Sequence, residues 1–502
     1  MRFLFSLQAS ALMISLAGPI AARPVAECFK LETITFPDNV PAEVGGVAFD
    51  AEGTLYVALR RGDIITARNL QDPANFDWKL FATGFDNALG LDVPEPGRIR
   101  VAQMPELTEA TDTDGDGRAD RYRNLADGWG LSGNYHEVNS MTPDGAGGYY
   151  IGLGTASHRS PTFVHTRGKY SAVGRRGRNY SAVEYRGWAM HYHADGTLEP
   201  FALGFRVING ILVDDQGLVW SSDNQGDWKA TTPFYHLEKG NFYGHVSSLV
   251  WDPRWPADKD PLATYRADLD TYNRVRTHPA VQIPHEIIHS GSEPIQIPRT
   301  GEFGAFGGQI LLPDASGKCI ARLMLEEIDG QYQGAVTLFI DGLGLHVSNN
   351  RVCFSPDHKT LYIGQTARGW GMSKGSNTEG MQRLTWLGGT PFTIEKMNIT
   401  PTGFRLTFTE PMNAAALQTG NYGIRSMTYQ SKWVYGGEPE NERDHAVTAV
   451  TAVDARTVTL TIAAFTPGRL YRLDLAPALA SAAGETPARR DFYYTANRIP
   501  KR

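Results

Sequence analysis

Six times along the chain the same phrase recurs: a polar lead-in, a short apolar run, a turn rich in Asp, Pro and Gly, then a second apolar run. It reads Gly46-Val47-Ala48-Phe49 then Leu55-Tyr56-Val57, and near the end Val352-Cys353-Phe354 then Leu361-Tyr362-Ile363, with versions between them starting near Leu89, Asn139, Gly210 and Ile295. Each phrase predicts two short antiparallel strands around a tight turn. Strand-rich repeats spaced by ~40–50 residues or more are the pattern of propeller blades. The expected fold is all-β: a six-bladed β-propeller over residues 23–390, followed over 391–497 by a small immunoglobulin-like β-sandwich.

A chain of 502 residues has room for both parts. Its 53 Gly, 21 Tyr and 10 Trp suit strands and turns better than helices. The net charge of −6 is spread along the chain, which excludes a nucleic-acid surface. Residues 1–22 begin Met1-Arg2 and continue small and apolar up to Ala21-Ala22. That is a secretory signal rather than a membrane span, placing the mature chain outside the cell or in the periplasm. The three Cys include no Cys-x-x-Cys-His run, which excludes covalently attached haem. Cys319 and Cys353 fall on expected strands and read as small buried residues, with a disulfide as the alternative.

In a hairpin, the residue before the first strand and the residue after the second lie at the same end. Applied to every repeat, this rule gathers Arg60-Arg61, Asp86-Asn87, Gln103, His136-Glu137, Thr155 to His158, Arg206, Asp223-Asn224-Gln225, Glu293, Asp314, Asn349-Asn350 and Gln365 to Arg368 around one mouth. The opposite ends carry ordinary turn formers such as Pro143-Asp144-Gly145 and Pro356-Asp357-His358. Three stretches, 104–133, 157–188 and 228–284, read as long insertions that wall the site.

Asp112-Thr113-Asp114-Gly115-Asp116-Gly117-Arg118-Ala119-Asp120 is the most specific local pattern. Asp112, Asp114, Asp116 and Asp120 offer hard oxygen ligands for Ca²⁺ on a loop that Gly117 lets turn sharply. His136 enters the mouth as a candidate general base. Gly226 with Asp227 reads either as an ion- or ligand-facing loop or as a capped polar turn. The basic, Tyr-rich run from Arg159 to Arg186 suits an anionic or sugar ligand, or a solvated loop. His191 and His193 alternate on one strand face as metal ligands do; no third ligand is evident, so both are taken as structural.

These repeats, with Gly133 to Glu137, Gly204-Phe205-Arg206 and Asp223 to Asp227, resemble the quinoprotein glucose/sorbosone dehydrogenase superfamily, and more closely its secreted dehydrogenase-like relatives. The resemblance covers most of the first 390 residues. It implies that His136 takes a proton from a sugar or polyol hydroxyl while hydride passes to pyrroloquinoline quinone (PQQ). It implies further that Arg206, Arg351 and Arg368 contact the cofactor, that Gly226 and Asp227 hold its Ca²⁺, and that electrons leave to an external acceptor such as a cytochrome. The chain departs from the pattern at Gly154-Thr155, Val207, Ser316 and Ser348 to Val352, which leaves the quinone's three carboxylates short of cations. Two other activities fit the same scaffold: non-redox carbohydrate binding, and sugar lysis or hydrolysis at His136 with Glu137 or Asp223.

Overall fold

The computed structural model describes residues 24–132, 138–157, 165–366 and 378–501. It is all-β, and the expected hairpins are present. Each forms the inner half of a four-stranded antiparallel unit. The first unit orders Val44–Phe49, Leu55–Leu59, Ile64–Arg68 and Asp77–Ala82. The second runs from Gly90–Glu95 to Arg121–Ala126, the third from Ser140–Pro143 to Leu198–Leu203, and the fourth from Gly210–Val213 to Val281–Ile283. In the sixth, Asn349–Phe354, Thr360–Thr366 and Glu379–Trp386 are completed by Phe29–Ile34 from the start of the described chain, a closure that ties the two ends of the array together.

Stretch 104–133 is therefore not a free-standing insertion. It supplies Leu107–Thr111 and Arg121–Ala126, the outer strands of the second unit. Stretch 228–284 likewise contributes Thr232–Leu237 and Val281–Ile283 before and after two short helices. Only the inner pair of each unit was legible, because those strands are buried on both faces while the outer ones, such as Arg121–Ala126, are largely exposed.

The fifth unit differs from the rest. Its strands Cys319–Ile328 and Gln331–Asp341 are long, and Gly334 to Val336 pair with Tyr493 to Thr495, so the sheet continues through Asp491–Ala496, Arg469–Leu475, Tyr422–Thr428 and Glu440–His445. A second sheet of Ile394–Thr400, Gly403–Phe408, Thr457–Ile462 and Val447–Ala452 packs against it over a core that includes Phe404, Leu460, Tyr471 and Tyr494. Cys319 and Cys353 are not joined in a disulfide. No helix among the described residues is long and apolar enough to cross a membrane. The leader at 1–22 lies outside the described residues.

The inner strands converge on one side chain, Arg351, which is 1% exposed. Its Nε donates to Gly45 O at 3.0 Å, Nη1 to Asn209 O and Asn350 O at 3.0 and 2.9 Å, and Nη2 to Leu89 O at 2.9 Å and to Asn139 O. Those carbonyls belong to the entries of units one, four, six, two and three. The fifth unit contributes Glu293, whose charge faces the guanidinium and whose carboxylate accepts Val352 N at 3.0 Å. A guanidinium has five N–H groups, and here each has a carbonyl. Two irregularities make this geometry: register shifts at Val44/Gly46 and at Asn349/Arg351 release Gly45 and Asn350 from their ladders and turn them to the axis. Gly45 must be glycine, since a Cβ there would lie 1.9 Å from Ala88 O of the next unit.

Replacing Arg351 with Met leaves five buried carbonyls and the Glu293 carboxylate without their cation. The expected cost is about 3–5 kcal/mol, read as a fall in the urea midpoint, with Arg351→Lys recovering only part because ammonium has three donors. An unchanged midpoint for Arg351→Met contradicts the hub.

Candidate functional site

The mouth residues expected from the hairpin rule do meet, both within a unit and across neighbouring units. Arg60 Nε donates to Asn87 Oδ1 at 2.8 Å, Gln103 Oε1 accepts Asp86 N at 2.7 Å, Thr155 Oγ1 donates to Arg206 O at 2.6 Å, and Gln365 Nε2 reaches Asn349 Oδ1 at 3.3 Å. His136, Glu137 and Arg368 lie outside the described residues.

Arg206 and Asp227 are brought together: Arg206 Nε donates to Asp227 Oδ1 at 3.0 Å. The other carboxylate oxygen of Asp227 accepts Asn179 N at 3.1 Å and faces His245 Nε2 at 3.3 Å. Burial alone would raise the pKa of Asp227, but the His245 hydrogen bond and the charges of His245 and Arg206 outweigh it and hold the carboxyl well below its ordinary range. His245 in turn faces Ser247 Oγ at 2.9 Å through Nδ1. Asn179, Asp227, His245 and Ser247 line a small cavity of about 40 Å³ together with Arg178, Arg266 and Trp433. His245 escapes sequence reasoning, since it sits alone after Gly244 with no motif around it.

Gly226 serves Arg206 rather than an ion. Its carbonyl accepts Lys229 N at 3.1 Å and Gly436 N at 3.0 Å, so both lone pairs are committed to N–H donors. A Cβ at this position would lie 2.1 Å from Arg206 Nε, and its absence lets the guanidinium lie flat. Asp223 is equally committed: it accepts Val207 N at 2.7 Å, Arg206 N at 2.8 Å and Asn224 N at 2.8 Å, and it pairs with the buried Lys229 Nζ at 3.0 Å. Burial lowers the pKa of Lys229, and the Asp223 charge opposes that shift. Asp223 is thus an anchor for the Arg206 backbone, not a free base. Arg351, taken from the resemblance as a cofactor contact, is instead saturated at the axis by main-chain oxygens.

The C-terminal part reaches the mouth. Trp228 N donates to Lys432 O at 2.7 Å, Gly437 N to Ala230 O at 2.9 Å, and Asp227 bridges Tyr435. The Tyr435 ring, 40% exposed, receives Arg178 at 4.6 Å and Arg206 at 5.3 Å. Most of the basic run is structural. Arg167 donates to Trp129 O and Pro105 O, Arg175 lies 3.8 Å over Tyr180, and Arg176 pairs with Asp260 at 2.7 Å.

Six neutral buried polar atoms at this end have no partner among the described residues: Asn139 Nδ2, Asn350 Nδ2, Asn224 Oδ1, Gln225 Oε1, Gln365 Oε1 and Thr366 Oγ1. They mix donors and acceptors, and charged groups stand near them: Glu379 opposite Thr366, and Arg186, whose Nε donates to Gly154 O at 2.6 Å. At the opposite end, Asp112, Asp114 and Asp116 bring carboxylate oxygens within 4.8 Å of one another in the turn between Leu107–Thr111 and Arg121–Ala126. Asp120 is not in that group; its carboxylate accepts Thr113 N and Oγ1 at 3.2 and 2.8 Å.

A family described as a domain of unknown function (DUF7133) matches residues 68–283, from the third strand of the first unit to the last strand of the fourth. No curated protein matches the chain. Among solved structures, the PQQ-bound aldose sugar dehydrogenase of Streptomyces coelicolor is 12% identical over 73% of this chain and 99% of its own, with a TM-score of 0.47. The holo PQQ domain of the Coprinopsis cinerea pyranose dehydrogenase is 12% identical over 73% and 98%, with a TM-score of 0.48. The calcium structure of a Trichoderma reesei carbohydrate-active enzyme of family AA12 is 12% identical over 74% and 99%, with a TM-score of 0.46.

Asp227 has a folded pKa below its ordinary 3.8, so its stabilisation is complete above that value and disappears as pH falls through the folded one. The stability gap between wild type and Asp227→Asn therefore narrows between neutral pH and about pH 3, measured by urea midpoints. A gap that stays constant on acidification contradicts the assigned Arg206–Asp227–His245 network. Gly226→Ala is expected to push Arg206 off Asp227 and lower the midpoint as well.

Proposed function

We propose that the chain is a six-bladed propeller, capped by an immunoglobulin-like sandwich, that acts outside the cytoplasm on a carbohydrate or polyol bound at the mouth. One observation carries this reading. Six buried atoms at that end without a partner among the described residues are neutral amide and hydroxyl groups of both polarities, on Asn139, Asn224, Gln225, Asn350, Gln365 and Thr366. Buried polar atoms need partners, and the hydroxyls of a sugar donate and accept in the same way. Tyr435 and Trp433 add aromatic faces at the rim.

The cofactor implied by the sequence resemblance does not fit the described residues. PQQ carries three carboxylates, and the cations around the axis already have partners: Arg60 with Glu43, Arg206 with Asp227, Lys229 with Asp223, Arg351 with five carbonyls and the charge of Glu293, and Arg186 with Gly154 O and Ser132 Oγ. Adding three negative charges to an already matched site leaves them buried without counter-charge. The sugar-oxidising activity of the resemblance stands as the second reading, favoured by the Gly204-Phe205-Arg206 and His136 motifs. Calcium belongs to the 112–120 turn, where hard oxygens converge at the end away from the mouth and an ion stabilises the outer hairpin of the second unit.

The experiment is a thermal-shift and calorimetric screen of sugars and polyols on the mature protein, followed by incubation with PQQ and Ca²⁺. Saturable sugar binding is expected, weakened about tenfold in Asn224→Ala, which removes one unpaired acceptor, with no quinone absorbance retained after desalting. Stoichiometric quinone retention with sugar-dependent dye reduction installs the oxidoreductase reading instead. Absence of binding by every sugar and polyol overturns the proposal.

A further inference from the structure

At the end of the third unit away from the mouth, a cluster of side chains has the chemistry of a transition-metal site. We propose that His191, His193 and Glu199 bind a divalent ion of the zinc class, with Asp144 orienting one of the imidazoles.

Strand geometry brings the three together. His191 lies in Trp188–Tyr192 and His193 follows two residues on, so both rings leave the sheet on one face, with centroids 3.9 Å apart. Glu199 stands directly opposite His191 on the neighbouring strand, Leu198–Leu203. One ligand atom from each of the three lies within 4.8 Å of the others. Ligands held at ~2.0–2.1 Å from one tetrahedral ion stand about 3.3–3.5 Å apart, a contraction that side-chain rotation alone supplies. The third ligand escaped the sequence pattern because it depends on cross-strand register, not on spacing along one strand.

Asp144 supplies the element that a bare pair of histidines lacks. Its Oδ1 is held by Ala146 N and Gly148 N at 2.7 and 2.8 Å, which leaves Oδ2 aimed at His191 Nε2, 2.9 Å away. A carboxylate bonded to a ring nitrogen fixes the imidazole and raises its basicity as a ligand. Tyr150 stacks on the other face of the ring at 4.3 Å and 19°. The His193 and Glu199 side chains remain 37% and 31% exposed, so an ion there has a solvent-facing position for a fourth ligand. Lys239 Nζ now sits 2.9 and 2.8 Å from the two Glu199 oxygens; its side chain is 61% exposed and free to swing away as the metal takes over the carboxylate charge. Two imidazoles with one carboxylate select zinc, cobalt or nickel over calcium or magnesium, which separates this cluster from the all-carboxylate turn at 112–120.

The test uses untagged full-length protein stripped with chelator and titrated with Co²⁺ and Zn²⁺ by calorimetry and visible absorption. One equivalent is expected to bind, with a d–d band for Co²⁺ that Zn²⁺ abolishes and Ca²⁺ leaves intact. His193→Ala and Glu199→Gln, both on exposed side chains, are expected to lose the band while keeping the wild-type melting temperature of the apo protein. Asp144→Asn should weaken affinity about 10–100-fold, and Lys239→Ala should strengthen it. No stoichiometric Co²⁺ or Zn²⁺ binding, or binding unchanged in both His193→Ala and Glu199→Gln, overturns the assignment.

Discussion

A closed ring of sheets has an unavoidable problem at its axis, where the inner strands present main-chain groups with no neighbouring strand to pair them. In this chain Arg351 answers that problem directly. Its guanidinium gathers carbonyls from five units, and the remaining one, the fifth unit, contributes the charge of Glu293. Burying a guanidinium is costly unless every N–H is bonded and the charge is balanced, and here both conditions hold. Close approach of the units then becomes a requirement, met where side chains are absent: Gly45 against Ala88, and Gly210, whose Cβ would meet Glu293 Cα at 2.3 Å.

The same plug determines what the mouth can bind. Because the axial cation is fully used by the scaffold, it offers no charge to a ligand, and the remaining cations nearby are tied to Glu43, Asp227 and Asp223. Among what is left is a set of amides and a hydroxyl, groups that discriminate by hydrogen-bond direction rather than by charge. The C-terminal part shares in this surface. Its strands extend the sheet of the fifth unit, and the loop carrying Tyr435 and Gly436 lands on the Gly226–Asp227 turn, so removing that part would uncover the Arg206 guanidinium and free the carbonyl of Gly226.

Much of the scaffold was legible because it follows local rules. The inner hairpins carry two-sided apolar runs and explicit turn residues, and the end-of-hairpin rule placed Arg60, Asn87, Gln103, Arg206, Asp223, Asn349 and Gln365 at one mouth without reference to any fold. The outer strands were harder. Glu440–His445 is exposed or half-buried throughout and shows no apolar alternation, and the 104–133 stretch reads as polar loop although it holds two strands. Arg351 was misassigned for a different reason. Its role depends on register shifts in two strands about 300 residues apart, and nothing local distinguishes an arginine aimed at main-chain oxygens from one aimed at an anionic ligand. His245 and Glu199 share that cause, since each gains meaning only from a partner fixed by packing or register.

The two ends of the array have diverged in chemistry for a reason rooted in the repeat. At the mouth, strand entries and exits from all units face a common axis, so charges there are close together and must neutralise one another or be buried unpaired. At the far end, each turn belongs to one unit and faces solvent, where carboxylates and imidazoles are tolerated singly or in small clusters, some of them paired with a cation of the next unit, as Glu199 is with Lys239 and Asp215 with Arg299. Turn formation itself favours Asp, as Asp112 and Asp144 show by capping their own loops with main-chain N–H bonds. A turn aspartate uses one oxygen or one face for that purpose and leaves the other available. Ion sites built on such turns therefore arise from residues already needed for folding, whereas a charged ligand site at the mouth would require the axial network to be dismantled first.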